Sequence, residues 1–147
     1  MREMAMGPTR TILFLCPHNA AKSVLAAAYF DTMAVERGLP FRADSAGTEP
    51  DEQPSPAIVA ALHADGIDVA GHRPRLATVE DLASAYRVIS LGCDVESIAS
   101  SSVRIDRWDD VPPASRDLAA SREAIRSHLD ALIDQLAAER PHPATTP

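Results

Sequence analysis

Apolar and polar positions alternate between two rhythms along the chain. Residues Thr11-Ile12-Leu13-Phe14-Leu15 form a near-continuous apolar run of strand length, the pattern of a strand buried on both faces of a parallel sheet. The stretch from Ala21 to Arg37 is rich in Ala, Leu, Met and Tyr and ends at Gly38, which predicts a helix closed by a glycine cap. Phe41 to Ser45 predicts a second strand leading into the turn Ala46-Gly47-Thr48. A proline-rich loop from Asp51 to Pro56 opens a helix that runs from Pro56 to Asp65 and stops at Gly66. Thr78 reads as the N-cap of a short helix reaching Ala83, with Asp81 three residues on as its capping-box partner. Tyr86 to Leu91 predicts a third strand and Val103 to Ile105 a weak fourth. Between Ser115 and Arg140, Leu118, Ile125, Leu129, Leu132, Ile133 and Leu136 recur at helical spacing and form one apolar stripe.

Strands that alternate with helices predict an α/β fold, a parallel sheet with helices on both faces. A chain of 147 residues is one domain on a prior of about 150 residues each. The expected domain spans 11–140, with 1–10 a leader and 141–147, a proline-rich tail, both disordered. No apolar run approaches the roughly 20 residues of a membrane helix, and the start is too polar for a secretory signal. Two cysteines fit a reducing, cytoplasmic setting rather than a disulfide scaffold. The net charge of -7 and 4% aromatic content remove the basic face and stacking platform that a nucleic-acid binder needs. No cofactor is expected. Cys16, His18, His63 and His72 fit no zinc spacing, so no metal is expected either, and the Gly-rich loop of phosphate-binding NTPases is absent.

Ligands of parallel α/β sheets bind beyond the carboxyl ends of the strands, which directs attention to Cys16-Pro17-His18-Asn19-Ala20-Ala21-Lys22-Ser23 after the first strand. Backbone amides at the start of the following helix lack intrahelical partners and favour an anion. A cysteine placed there is expected to act as a thiolate nucleophile. The amides of His18, Asn19, Ala20, Ala21, Lys22 and Ser23 are expected to bind an oxyanion, Lys22 to reach it with its ammonium, and Ser23 to donate to the sulfur. Lys22 is the single lysine among 14 basic residues, so its place in this loop departs from the chain's preference for arginine.

These segments resemble the low-molecular-weight protein tyrosine phosphatase superfamily, which includes thioredoxin- and mycothiol-coupled arsenate reductases. Cys16 to Ser23 resembles its Cys-x5-Arg-Ser phosphate loop, Ser45-Ala46-Gly47-Thr48 its Ser-Ala-Gly-Thr turn, and Gly66-Ile67-Asp68 with His72-Arg73 a later paired segment. The resemblance implies a four-stranded parallel sheet of order 2-1-3-4. It departs at informative places. The loop arginine, a planar fork, is here Lys22, a point charge. Pro17 has no N–H. The imidazole of His18, small in the family, either adjoins the thiolate or faces solvent. The family's late Asp-Pro general acid falls on Pro112, leaving Asp109 and Asp110 as the acid candidates, and no tyrosines follow to line a phosphotyrosine groove. Cys93, in Ser90-Leu91-Gly92-Cys93-Asp94, resembles the resolving thiol of the reductases.

The leading expectation is therefore a weak phosphomonoesterase of phosphotyrosine type, working through a phosphocysteine on Cys16. The first alternative is an arsenate reductase that uses the same loop, with Cys93, a small thiol or a thioredoxin-type reductant completing the cycle. The second is a non-catalytic domain that binds phosphate-like oxyanions.

Overall fold

A computed structural model describes residues 9–95, 98–99 and 103–139. The elements in chain order are β1 (Arg10–Leu15), α1 (Lys22–Glu36), β2 (Phe41–Ala46), α2 (Pro56–Ala64), α3 (Val79–Ser84), β3 (Arg87–Ser90), β4 (Ile105–Arg107) and α4 (Leu118–Glu139). All strand pairs are parallel, in the order β2-β1-β3-β4. Leu15 pairs with Ala46 on one side and Ser90 on the other. Strands β2, β1 and β3 therefore end level, and their loops leave from one edge.

The uninterrupted apolar run of β1 is explained by burial on both faces. Side chains of a strand alternate. Ile12 and Phe14 pack with Leu25 and Phe30 of α1, Ile58 and Leu62 of α2, and Leu129 and Ile133 of α4. Leu13 and Leu15 face the other way, onto Ala77, Leu82 of α3, Val88 and Val95. Helix α1 ends because Gly38 takes φ 65, and the next amide, of Leu39, bonds back to Ala34, a left-handed terminus that glycine adopts without strain. Thr78 and Asp81 form the predicted capping box at α3.

Several boundaries differ from the sequence reading, three of them with consequences for the packing. The fourth strand is Ile105–Arg107, two residues beyond Val103–Ile105. Its polar character has a cause: the buried Arg87 of β3 needs an anion, and Asp106 lies 2.6 Å from Nη2, with Gln135 at 3.3 Å and Glu139 at 3.6 Å from other guanidinium nitrogens or the same one. Arg10, placed in the leader, belongs to β1, opposite Phe41 and with its guanidinium 4.9 Å from the Tyr86 ring centre. The last helix starts at Leu118 rather than Ser115, because the Asp117 carboxylate accepts from the Ala120 amide at 3.0 Å and caps the helix there. The expected disordered segments 1–8 and 141–147 lie outside the described residues.

A guanidinium taken out of water costs heavily unless it keeps its partner, whereas replacing both partners with apolar groups does not. Asp106→Ala is expected to lower unfolding stability by about 3 kcal/mol, and adding Arg87→Met to that background to restore most of it. Urea unfolding of the two variants measures both, and a double variant no more stable than the single one would refute the assignment.

Candidate active site

The loop that joins β1 to α1 is turned inside out. Four successive carbonyls point away from its centre. Pro17 accepts from the Glu49 amide at 2.7 Å, His18 from the Asp51 amide at 3.0 Å, and Ala20 from the Ser55 amide at 3.0 Å. Between them the Asn19 carbonyl accepts from Nε2 of His72 at 3.1 Å. In a trans peptide the N–H of the next residue lies opposite its carbonyl, so the amides of His18, Asn19, Ala20 and Ala21 turn the other way. The helix adds its own: Ala21, the N-cap of α1, supplies no side-chain cap, and the first turn carries no acid. This is a cup of donors built for an anion.

Asn19 holds the cup together. It is fully buried with φ 52, a left-handed backbone that asparagine tolerates better than most residues. Its Oδ1 accepts from the Arg75 amide at 3.0 Å, which fixes Nδ2 as the donor to Ser23 Oγ at 3.0 Å. The Cys16 thiol lies 3.0 Å from the same Ser23 Oγ and donates to it; a thiolate would instead accept from the Ser23 hydroxyl. The Ser23 amide also donates to the sulfur, at 3.4 Å. Gly47 makes the packing possible. A β-carbon there would come within 2.6 Å of the Pro17 carbonyl oxygen and 2.8 Å of that of Cys16, so the predicted turn is a glycine-only contact beneath the loop.

Lys22 leans across the mouth of the cup: a β-carbon on Gly92, just beyond β3, would meet its Nζ at 3.2 Å. Cys16, His18 and Lys22 share a cavity of about 280 Å³ with Asp51 of the loop before α2, Ile58 of α2 and Ala114. A larger hollow of about 480 Å³, lined by Arg87, Arg104, Trp108 and His128, lies between β4 and α4, and no cysteine or serine lines it among the described residues. Among the described residues no three His, Cys, Asp or Glu side chains cluster as metal ligands.

The sequence-predicted residues of the loop thus come together, and the outlying ones do not. The His18 imidazole bonds away from the sulfur, with Nδ1 3.0 Å from the Glu49 carbonyl oxygen and 3.4 Å from Asp51 Oδ1. Neither Asp109 nor Asp110 lines the cavity. Asp110 is engaged by Nε2 of His128 at 2.8 Å, and that bond holds its carboxyl below the ordinary value, the wrong direction for a general acid. His128 in turn stacks on Trp108. Cys93 is buried in the core on the α3 face, 3.8 Å from Thr48 Oγ1, and does not line the cavity. Burial pushes its thiol pKa up, with the nearby Cys16 adding to the rise. Asp51 and Arg75 were missed by the sequence reading; each acts across the chain, where local spacing carries no signal.

Residues 11–108 match the family described as low molecular weight phosphotyrosine protein phosphatase. The chain belongs to that family. A putative arsenate reductase of Halobacterium salinarum is 23% identical over 135 residues, covering 90% of this chain and 94% of that protein. Among solved structures, YfkJ from Bacillus subtilis superposes with a TM-score of 0.80 at 24% identity, covering 92% of this chain and 99% of YfkJ. The thioredoxin-dependent arsenate reductase of Corynebacterium glutamicum gives 0.78 at 22% identity, covering 90% of this chain and 64% of that one. These relatives share the fold with this member of the phosphatase family.

Reactivity of the two thiols separates their environments. Iodoacetamide at neutral pH is expected to label Cys16 first, with phosphate slowing that reaction by filling the cup, while Cys93 reacts only at alkaline pH or after unfolding, because its neutral form is the favoured one. Peptide mapping reads both rates. Equal labelling, or no effect of phosphate, would contradict the geometry.

Proposed function

We propose that the protein is a phosphomonoesterase that works through a phosphocysteine on Cys16. The carrying observation is the sulfur itself, which is hydrogen-bonded to the Ser23 hydroxyl oxygen and accepts from the Ser23 amide at the foot of an amide cup. In this reading Cys16 attacks phosphorus in line, the amides and Lys22 hold the equatorial oxygens as charge builds, and water then releases phosphate. The cavity wall supports an organic leaving group: Pro17, Ile58, Pro113 and Ala114 offer an apolar surface next to the cup, which bare arsenate would leave unused. Among the described residues no Phe, Tyr or Trp lines that wall, so a phosphotyrosine ring finds none of these to stack on and turnover is expected to be slow. Lysine in place of the arginine fork points the same way, since it offers one charge without bidentate geometry.

Arsenate reduction is the second reading, and Cys93 is what favours it. Cys16 follows β1 and Cys93 follows β3, whose last residues Leu15 and Ser90 are register partners, so both thiols leave one edge of the sheet, and a small thiol or thioredoxin-type reductant would then be the partner.

Hydrolysis of an aryl phosphate and thiol-dependent arsenate reduction, assayed side by side, test the choice. Cys16→Ser is expected to abolish either activity. Lys22→Ala should lower kcat/KM for an aryl phosphate by about 10²-fold, the scale for one lost oxyanion contact. Cys93→Ser should leave ester hydrolysis within about twofold, as a buried residue off the cavity would. A Cys16–Cys93 disulfide formed during arsenate turnover, and lost turnover in Cys93→Ser, would favour the reductase instead.

A further inference from the structure

The ester reaction needs a proton for its leaving oxygen, and the carboxylates expected from the chain's late loop are elsewhere. We propose that His18 supplies that proton, as the general acid and then the general base of the phosphomonoesterase; this assignment rests on the phosphatase reading above.

The argument starts from the tautomer. Nδ1 of His18 lies 3.0 Å from the Glu49 carbonyl oxygen. A carbonyl only accepts, so Nδ1 carries a hydrogen in every protonation state. The exchangeable proton is therefore on Nε2, and imidazole is the side chain whose proton exchanges near neutral pH. Asp51 Oδ1 stands 3.4 Å from the same Nδ1, where its negative charge complements an imidazolium and its position orients the ring. The orientation is further fixed by the backbone, since the Asp51 amide bonds to the His18 carbonyl at 3.0 Å and the Glu49 amide to that of Pro17 at 2.7 Å. The imidazole is about half exposed, with 57% of its side-chain surface open, so Nε2 is accessible to substrate and to water. The other titratable groups that line its cavity are Asp51, Lys22 and Cys16. Asp51 is the one carboxylate on that lining among the described residues, and it is paired with His18. Asp110 is paired with His128 outside the cavity. An oriented imidazole backed by a carboxylate is a general arrangement for proton transfer.

The step balances as follows. Sulfur of Cys16 attacks phosphorus and the bond from phosphorus to the ester oxygen breaks. The electron pair goes to that oxygen, which takes the proton from Nε2 of the imidazolium and leaves as the alcohol. Neutral Nε2 then accepts a proton from the water that attacks the phosphocysteine. The phosphorus–sulfur bond breaks, phosphate departs, and thiolate and imidazolium are restored.

A leaving-group series tests the role. An acid matters most for a poor leaving group, so His18→Gln, which keeps a donor but cannot transfer its proton, should lose only a few-fold in kcat/KM on 2,4-dinitrophenyl phosphate. On phenyl phosphate it should lose about 10²–10⁴-fold, the usual scale of acid catalysis. Asp51→Asn should show the same trend with a smaller slope. Alkylation of Cys16 and its protection by phosphate report whether the loop of each variant is still folded. A loss equal across the series, or no loss, in His18→Gln with the loop folded would overturn the role of His18 while leaving the phosphatase reading standing. A loop unfolded in His18→Gln shifts the decision to Asp51→Asn, where a slope like that of the wild type overturns the role. Failure of the wild type to hydrolyse any of these esters would overturn the phosphatase reading and this assignment with it.

Discussion

The site depends on one constraint: four consecutive carbonyls between Pro17 and Ala20 must face outward. Each is held by a donor from another part of the chain, three backbone amides between Glu49 and Ser55 and the ring of His72. A buried or half-buried carbonyl without a partner is costly, so these segments have to approach the loop closely, and only a residue without a β-carbon at position 47 lets them. The loop can expose its amides because the protein satisfies the other half of every peptide. An anion bound in the cup then meets donors that are already oriented, and little reorganisation is left to oppose binding.

The same economy governs the sulfur. Asn19 has one carbonyl oxygen and one amino group, and the Arg75 amide decides which is which. That choice reaches Ser23, whose oxygen accepts from Asn19 and is hydrogen-bonded to Cys16, so a backbone group more than fifty residues along the chain from Cys16 orients the amide that holds its partner. Arg75 is itself held at 2.8 Å from Asp44 and 2.9 Å from Asp81, the second of which also closes the capping box of α3. The helix on the far face of the sheet is tied in this way to the catalytic edge.

What could be read from the sequence was what is written locally. The run from Thr11 to Leu15, the glycine stop at Gly38 and the stripe of α4 identify their elements because burial imposes a period on contiguous residues. The loop from Cys16 to Ser23 was legible for the same reason, being one segment between a strand and a helix. The fourth strand was displaced because its pattern is set by a buried charge in β3, which no window around Asp106 contains. The late carboxylates lie off the cavity for a related reason. Asp110 has the right chemistry and falls near the family position, but His128, on α4, captures it, while Asp51 reaches the cavity from a loop with no periodicity at all.

The relation between the two thiols turns on a single residue. Leu15 and Ser90 are register partners, and the Leu91 amide bonds to the Leu15 carbonyl at 2.7 Å, so Cys16 and Cys93 leave the sheet at neighbouring positions on one edge. They nevertheless belong to opposite faces. Cys16 packs with the core under α1 and α4, Cys93 with that under α3. A disulfide needs α-carbons within about 7 Å and β-carbons pointing toward each other, and side chains on opposite faces do not point so. Gly92 lies between Cys93 and the end of β3, at φ 80, with the Lys22 ammonium against its open side. Any rotation that carried Cys93 toward Cys16 would pass through this peptide and displace that ammonium.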